Sequence, residues 1–294
     1  MNDKTSQIKD AGILTIGNGK GGVGKSTFTV HSAYFFSQHG YKVIVVDLDN
    51  QGNSSGHLLM LNSNTVLPEY VTRPTSPVHN LGDAISLFLK DNHNLKCDLQ
   101  NGSIGVFRPT KALANINTSS DVDLVTIFKD NISKLLKYKT VIIFDTPPTL
   151  SNLMLLPLSV SNVVLIPTML KQYASDGIRD YLSFANKIKK TNNPKLLIGG
   201  IVPNMVNLKS NIQKNELSKL LEVAEQTNLF YQDKSNMAYI TDKNVIEEAV
   251  TYGTACWHIN KTSSRDVKRT FTNIFKQVGT QLKLSVFNTS GKGE

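Results

Sequence analysis

A glycine-rich run with two lysines is the part of this chain best suited to chemistry. It reads Gly19-Lys20-Gly21-Gly22-Val23-Gly24-Lys25-Ser26 and fits the spacing GxxxxGK[ST]. Glycines let the backbone curl around phosphate oxygens with successive N–H groups pointing inward. A lysine at the position of Lys25 neutralises the outer phosphates, and the hydroxyl of Ser26 can bind magnesium. The run therefore predicts a binding loop for a nucleoside triphosphate and its metal ion.

Acidic side chains end two apolar runs, and both could complete such a site. Asp49 ends the segment 41–49, and Asp145 ends the segment 141–145. Carboxylates at the carboxyl ends of parallel strands lie at the edge where ligands bind in open α/β sheets. Hydrolysis needs a fixed metal ion and a water molecule aimed at the last phosphate, so both aspartates are candidates. Asp47, two residues earlier in the same run, is expected to be structural.

Alternating strands and helices must position these groups. Apolar runs typical of buried strands and longer stretches with helical periodicity follow one another along the chain. The predicted strands are 13–17, 41–49, 104–108, 141–145, 163–167 and 196–202, and the predicted helices are 25–38, 81–89, 122–138, 175–190, 209–224, 245–250 and 265–282. The first helix ends before Gly40, a suitable residue just past a helix C-terminus. This order predicts an α/β fold with a doubly wound, mostly parallel β-sheet flanked by helices.

A single domain spanning residues 1–294 is the simplest organisation for a chain of this length. Residues 1–11 are expected to form a flexible N-terminus and residues 288–294 a flexible tail. Between them, residues 62–80 carry three prolines among many polar residues and are expected to form an irregular surface insertion. No apolar stretch resembles a signal peptide or a membrane span, so a cytoplasmic location is expected.

The charge and the cysteine content bear on possible partners. The 32 Lys and Arg residues outnumber the 23 Asp and Glu residues, which leaves a net charge of +9. This charge favours a polyanion, either nucleic acid or an anionic membrane, over a basic surface that is merely solvated. Cys97 and Cys256 lack the spacing of a zinc or iron–sulfur site and are expected to be inert thiols.

The loop and the two acidic segments together resemble a known family. The run Lys20 to Thr27 is similar to the deviant Walker A motif of the ParA/MinD superfamily, whose best-known branch is the ParA-type partition ATPases. The run Val45 to Asn53 resembles the second motif of that family, with Asn50 where the family usually has proline. The run Ile142 to Pro148 resembles its Walker B segment. The resemblance extends over about residues 13–278 and implies an ATPase that uses ATP and Mg²⁺.

The resemblance also implies roles for individual residues. Lys20 would reach across an ATP-sandwiched dimer to the phosphates of the partner, in parallel with an arginine finger. Asp49 would contact the magnesium shell and orient the attacking water, while Ser26 and Asp145 would complete the metal site. Lys20, Lys25 and Asp49 are therefore the expected catalytic residues. The expected nucleotide-binding residues are Gly21, Gly22, Val23, Gly24, Lys25, Ser26 and Thr27 around the phosphates, with Pro203 and Asn204 at the adenine.

The partition branch of the family implies a set of partners. This chain resembles its small members, since too few residues precede the phosphate loop to form a helix-turn-helix module. Such members form a homodimer across ATP, bind nonspecific DNA and are stimulated by a centromere-binding ParB-type adaptor, which would associate the protein with the nucleoid. Basic residues at helical spacing suit contacts with DNA phosphates. The candidates are Lys261, Arg265, Lys268, Arg269 and Lys276.

Other branches of the superfamily leave alternatives open. A MinD-type protein docks on membranes through a C-terminal amphipathic helix, and apolar residues stand among lysines from Ile274 to Phe287 in this chain. Gly279 interrupts that helix, so packing of these residues on the domain is favoured over membrane docking. A metabolic or assembly ATPase of the same fold without DNA binding is the other alternative.

Overall fold

The computed structural model describes residues 10–61, 65–90, 92, 95, 97–119, 123–170, 174–226, 229–233 and 236–288. Of the flexible N-terminus predicted for 1–11, residues 1–9 lie outside this part of the chain. The same holds for residues 289–294 of the predicted tail and 62–64 of the predicted insertion.

Seven strands form one parallel sheet at the centre of the described residues. In chain order they are β1 (Gly12–Ile16), β2 (Lys42–Asp47), β3 (Val78–Asp83), β4 (Ile104–Arg108), β5 (Thr140–Asp145), β6 (Val163–Met169) and β7 (Leu197–Asn204). Their order across the sheet is β3-β4-β2-β5-β1-β6-β7, and every neighbouring pair is parallel. A separate antiparallel pair joins β8 (Gln232–Asp233) to β9 (Asn236–Met237). The predicted α/β fold with a doubly wound, mostly parallel sheet is confirmed.

Helices cover both faces of the large sheet. They are α1 (Lys25–Gln38), α2 (Asn53–Met60), α3 (Leu113–Thr118), α4 (Leu124–Leu135), α5 (Asn152–Val160), α6 (Ala174–Thr191), α7 (Asn211–Gln226), α8 (Asn244–Thr251) and α9 (Thr262–Gln281). One face packs against α1, α2, α8 and α9. The opposite face packs against α3, α4 and α5, and further along against α6 and α7. Because the strands are parallel, their carboxyl ends all lie at one edge of the sheet.

Three of the expectations for local structure differ from the structure. Residues 81–89, predicted as a helix, contain the end of β3 and a short 3-10 helix at Ala84–Phe88, since the apolar spacing there arises from a tight turn packed on the core. Strand β3 begins inside the segment 62–80 that was expected to be irregular. Helix α9 continues through Gly279, where the absent side chain leaves room for the ring of Phe287.

Most of the apolar residues of the C-terminal segment are buried. Ile274, Phe275, Val278 and Leu284 are fully buried. The ring of Phe287 stacks on that of Phe35, with 5.6 Å between the centroids. These side chains therefore pack on the body of the protein, as the sequence favours over membrane docking. Within the described residues, no helix has both the length and the apolar character needed to cross a membrane.

Candidate nucleotide-binding site

The glycine-rich loop connects β1 to α1 and takes backbone conformations that need glycine. Gly22 has φ of +72° and Gly24 has φ of +97°, a region that other residues rarely adopt. A Cβ on Gly24 would also overlap Nδ2 of Asn204, which lies at the end of β7. That amide nitrogen donates to the carbonyl of Val23 at 2.9 Å. The end of the loop is thus fixed by both its own conformation and a side chain from β7.

The start of the loop is fixed by Asn18. Its Nδ2 donates to the carbonyl of Pro167 in β6 at 2.8 Å, and its Oδ1 accepts from the N–H of Lys20 at 3.0 Å. The N–H of Gly17 donates to the carbonyl of Leu165, also in β6, at 3.1 Å. The loop therefore takes its position from β6 and β7 as well as from the strand that precedes it.

The Lys25 side chain is buried inside the loop. Its Nζ donates to the carbonyl of Lys20 at 3.0 Å. Burial lowers the pKa of Lys25, while the charges of Asp145 and Asp49 oppose this shift. An ammonium group carries three N–H donors, so this geometry leaves donors for phosphate oxygens at the centre of the loop.

Asp47 and Asp145 lie side by side, because they are paired in the register of β2 and β5. Both are fully buried. The Asp47 carboxylate is occupied by the main chain: Oδ1 accepts from the N–H of Asp49 at 3.1 Å, and Oδ2 accepts from the N–H of Ser55 at 2.9 Å. Burial raises the pKa of Asp47 and these hydrogen bonds lower it. Asp47 thus holds the turn that carries Asp49, which fits the structural role expected for it.

The Asp145 carboxyl group is in a different situation. Within the described residues, neither of its oxygens has a hydrogen-bond partner. Burial, and then the charge of Asp47, raise its pKa to about 7, although the nearby hydroxyls of Ser26 and Ser54 and the charge of Lys25 oppose the rise. A buried carboxyl without a partner is costly unless it binds a cation. The donor set of Asp145 and Ser26, both oxygen ligands, fits Mg²⁺.

A cavity of about 460 Å³ opens beside these groups at the carboxyl edge of the sheet. The predicted site residues that line it are Gly21, Gly22, Gly24, Lys25, Ser26, Thr27 and Asp49. Sequence reasoning missed its other lining residues, which are Gln51, Asn53, His57, Pro148 and Met205. Gln51, Asn53 and Pro148 lie inside the motif segments and could have been found there. His57 and Met205 carry no such signal.

A second cavity of about 310 Å³ adjoins the first, since Thr27 and Met205 line both. Of the two residues predicted at the adenine, Asn204 lines this second cavity and Pro203 does not. Pro203 lies in β7, where its carbonyl accepts from the N–H of Ile240 at 2.8 Å. The remaining polar side chains around the cavity include Asp242, Lys243, Asn244 and Glu247.

Four of the five basic residues predicted to contact DNA lie together on α9. Arg265, Lys268, Arg269 and Lys276 line a shallow surface cavity with Asp233. Arg269 lies 3.8 Å from the Asp233 carboxylate, measured from its Nε.

Lys261, the fifth, lies apart at the N-terminus of α9. Its Nζ forms an ion pair with Glu248 at 2.6 Å and sits 4.6 Å from the ring centroid of Tyr70. The charge of Lys261 is therefore balanced by Glu248 of the same chain. Lys261 is less available to bind a DNA phosphate than an unpaired cation would be.

Known proteins are similar to this chain in sequence and in fold. The family model AAA_31, described as an AAA domain, matches residues 11–198. Protein IncC of Escherichia coli is 27% identical over 280 residues, which cover 92% of this chain and 70% of IncC. The chromosome-partitioning ATPase Soj of Treponema pallidum is 26% identical over 247 residues, which cover 82% of this chain and 87% of Soj. An ATP complex of a Cyanothece McdA variant has a TM-score of 0.71 at 18% identity, covering 92% of this chain and 97% of that one.

Proposed function

Because the chain belongs to the AAA_31 family of AAA domains, and with it to the ParA/MinD family of P-loop ATPases, we propose that it hydrolyses ATP with Mg²⁺ and acts in DNA segregation. The observation that carries the proposal is that Lys25, Asp49 and Asp145 lie close together beside the glycine-rich loop. The chain would act as a single domain, with its nucleotide at the carboxyl edge of the sheet.

The residues of the loop would hold the phosphates. The loop amides and Lys25 bind the phosphate oxygens, as electrostatic stabilisation of phosphoryl transfer requires. Ser26 and Asp145 would hold the magnesium ion, and a bound magnesium ion supplies positive charge against the phosphate oxygens. Asp49 would orient the attacking water, since its carboxylate lines the cavity beside Lys25. Lys20 would add positive charge at the phosphates of a partner chain, so that turnover depends on a homodimer.

The second cavity is the proposed place for the nucleoside. It is continuous with the phosphate loop through Thr27, and Asn204 would contact the adenine there. Pro203 would act only by shaping the end of β7, because it does not line the cavity.

DNA would bind on α9. Arg265, Lys268 and Lys276 share one surface, and no ion pair involves them among the residues that the structure describes. Cations presented in this way bind DNA phosphates independently of sequence. The names of the relatives support a role in partitioning, since Soj is a chromosome-partitioning ATPase. In such a role, a centromere-bound ParB-type adaptor would stimulate hydrolysis on the nucleoid.

A gel shift with random-sequence DNA tests the DNA role. We expect binding with ATP and Mg²⁺ and little binding with ADP. The triple variant Arg265→Ala, Lys268→Ala, Lys276→Ala should bind more weakly, and the slope of log affinity against log salt should fall by about 0.9 for each phosphate that is no longer neutralised. Lys261→Ala is the matched control, because it removes a lysine charge that is already paired. Absent binding, or equal losses in the two variants, would exclude this DNA surface. Binding to anionic vesicles instead of DNA would favour the membrane branch of the family.

A further inference from the structure

Gly177 of α6 is a glycine that its own backbone does not require. Its φ lies outside the left-handed region, so alanine could take the same conformation. A Cβ at this position would nevertheless overlap Cε of Lys20 and would lie 2.9 Å from both its Cδ and its Nζ. The outer half of the Lys20 side chain therefore occupies the space that a side chain on residue 177 would fill.

The main chain of Lys20 is fixed on both sides while its side chain lies on α6. The N–H of Lys20 donates to Asn18, and its carbonyl accepts from Nζ of Lys25, each at 3.0 Å. The side chain of Lys20 lines neither of the two cavities beside the loop. In the single chain, the ammonium group of Lys20 thus lies outside the cavity beside the phosphate loop and against α6 of the same chain.

We infer that Gly177 is a positioning residue for Lys20. Its missing side chain leaves a gap in α6 that holds the lysine side chain, here called the stowed position, until a second chain binds. The inference rests on the proposed action of Lys20 on the nucleotide of a partner. Both Cε and Nζ lie against α6, so the side chain has to leave this position before it can extend to another chain. The stowed position lowers the population of the extended form, and a dimer needs two extended lysines.

The variant Gly177→Ala removes the stowed position with little other disturbance. The added methyl group meets the far end of a flexible side chain rather than backbone, and alanine has a higher helix propensity than glycine. We expect the protein concentration at half-maximal ATP-dependent dimerisation to fall about three- to tenfold, since extension of each lysine becomes more favourable. Analytical ultracentrifugation at saturating ATP and Mg²⁺ measures this midpoint. The ATP affinity of the monomer should not change, because neither Gly177 nor Lys20 lines the cavities.

Gly56→Ala is the matched control. Gly56 also lies in a helix, α2, but a Cβ there would meet nothing within 4 Å. A crystal structure of nucleotide-free Gly177→Ala should show Lys20 displaced from α6. A lower midpoint confined to Gly177→Ala, with Lys20 displaced, supports the inference. An unchanged or higher midpoint, an equal fall in Gly56→Ala, or a Lys20 side chain that still lies on α6 overturns it.

Lys20→Gln separates this inference from the proposed function. Unchanged dimerisation and turnover in Lys20→Gln would refute the action of Lys20 on the partner. A defect in Lys20→Gln combined with no effect of Gly177→Ala would refute the stowed position alone.

Discussion

The buried carboxyl group of Asp145 should make the nucleotide-free protein less stable as the pH rises. In the unfolded chain this group ionises near its ordinary pKa of 3.8, whereas in the folded protein burial and the charge of Asp47 raise the pKa to about 7. At any pH between these two pKa values, the carboxyl group has lost its proton in the unfolded chain but keeps it in the folded protein. The free energy of unfolding therefore falls with rising pH across this window and levels off above it. A window of about three pH units corresponds to about 4 kcal/mol.

Asp145→Asn should remove the part of this dependence that arises at residue 145, because asparagine does not ionise. The buried amide would leave polar atoms without full partners, at a cost of about 1–3 kcal/mol. The variant should therefore be more stable than the original protein by about 1–3 kcal/mol at pH 8. The difference should vanish or reverse near pH 4, where the original carboxyl group is protonated in the folded state.

Urea unfolding without nucleotide or magnesium, repeated between pH 4 and pH 8, measures both curves. Asp130→Asn, at an exposed position of α4, is the control for loss of a negative charge. The Asp145→Asn variant should also bind Mg²⁺ with ATP more weakly, since it removes the proposed metal ligand. Parallel pH curves for the original protein and Asp145→Asn would show that the reasoning from burial is wrong.

Four further changes test the loop and the C-terminal packing. Lys20→Gln should leave ATP binding nearly intact but suppress dimerisation and turnover, whereas Lys25→Ala should remove binding as well; calorimetry and phosphate release distinguish the two. Asn204→Ala should weaken ATP binding about fivefold, because the loop loses the hydrogen bond to Val23, worth about 1 kcal/mol; an unchanged Kd in calorimetry would contradict this. Phe287→Ala should lower the free energy of unfolding by about 1–3 kcal/mol. The exposed Val286→Ala should change it by less than about 0.5 kcal/mol in the same denaturation experiment.

The central strands and the loop could be predicted because their signals are local. Strand β5 is buried at every residue and β2 at all but the first, so both appear as continuous apolar runs. Helix α1 has the predicted bounds, because the phosphate loop precedes it and Gly40, with φ of +82°, follows its end. These elements alone place Lys25, Asp49 and Asp145 at one edge of a parallel sheet.

The remaining features depend on contacts between distant segments. The sequence pattern does not predict helix α5, because this helix contains Pro157 and proline usually ends a helix. His57 and Met205 reach the cavity from α2 and from the end of β7, and nothing in their local sequence marks them. The five basic residues predicted to contact DNA look equivalent in sequence. The ion pair with Glu248, which sets Lys261 apart from the other four, is a contact between distant segments.

Helix α1 explains how the loop is held ready for phosphates. Most of its residues are buried, because it lies between the sheet and helices α8 and α9, and a helix buried all round shows no apolar stripe in its sequence. His31 fixes it there: Nε2 accepts from the N–H of Cys256 at 3.1 Å, so Nδ1 carries the proton and donates to the carbonyl of Thr27 at 2.8 Å. Burial lowers the pKa of His31 to about 4, so the ring stays neutral at physiological pH. The ring also stacks on Phe271 of α9, 4.5 Å between centroids. Because the loop leads directly into this tightly packed helix, it needs little rearrangement when phosphates bind. N–H groups that are already fixed in place stabilise charge most effectively.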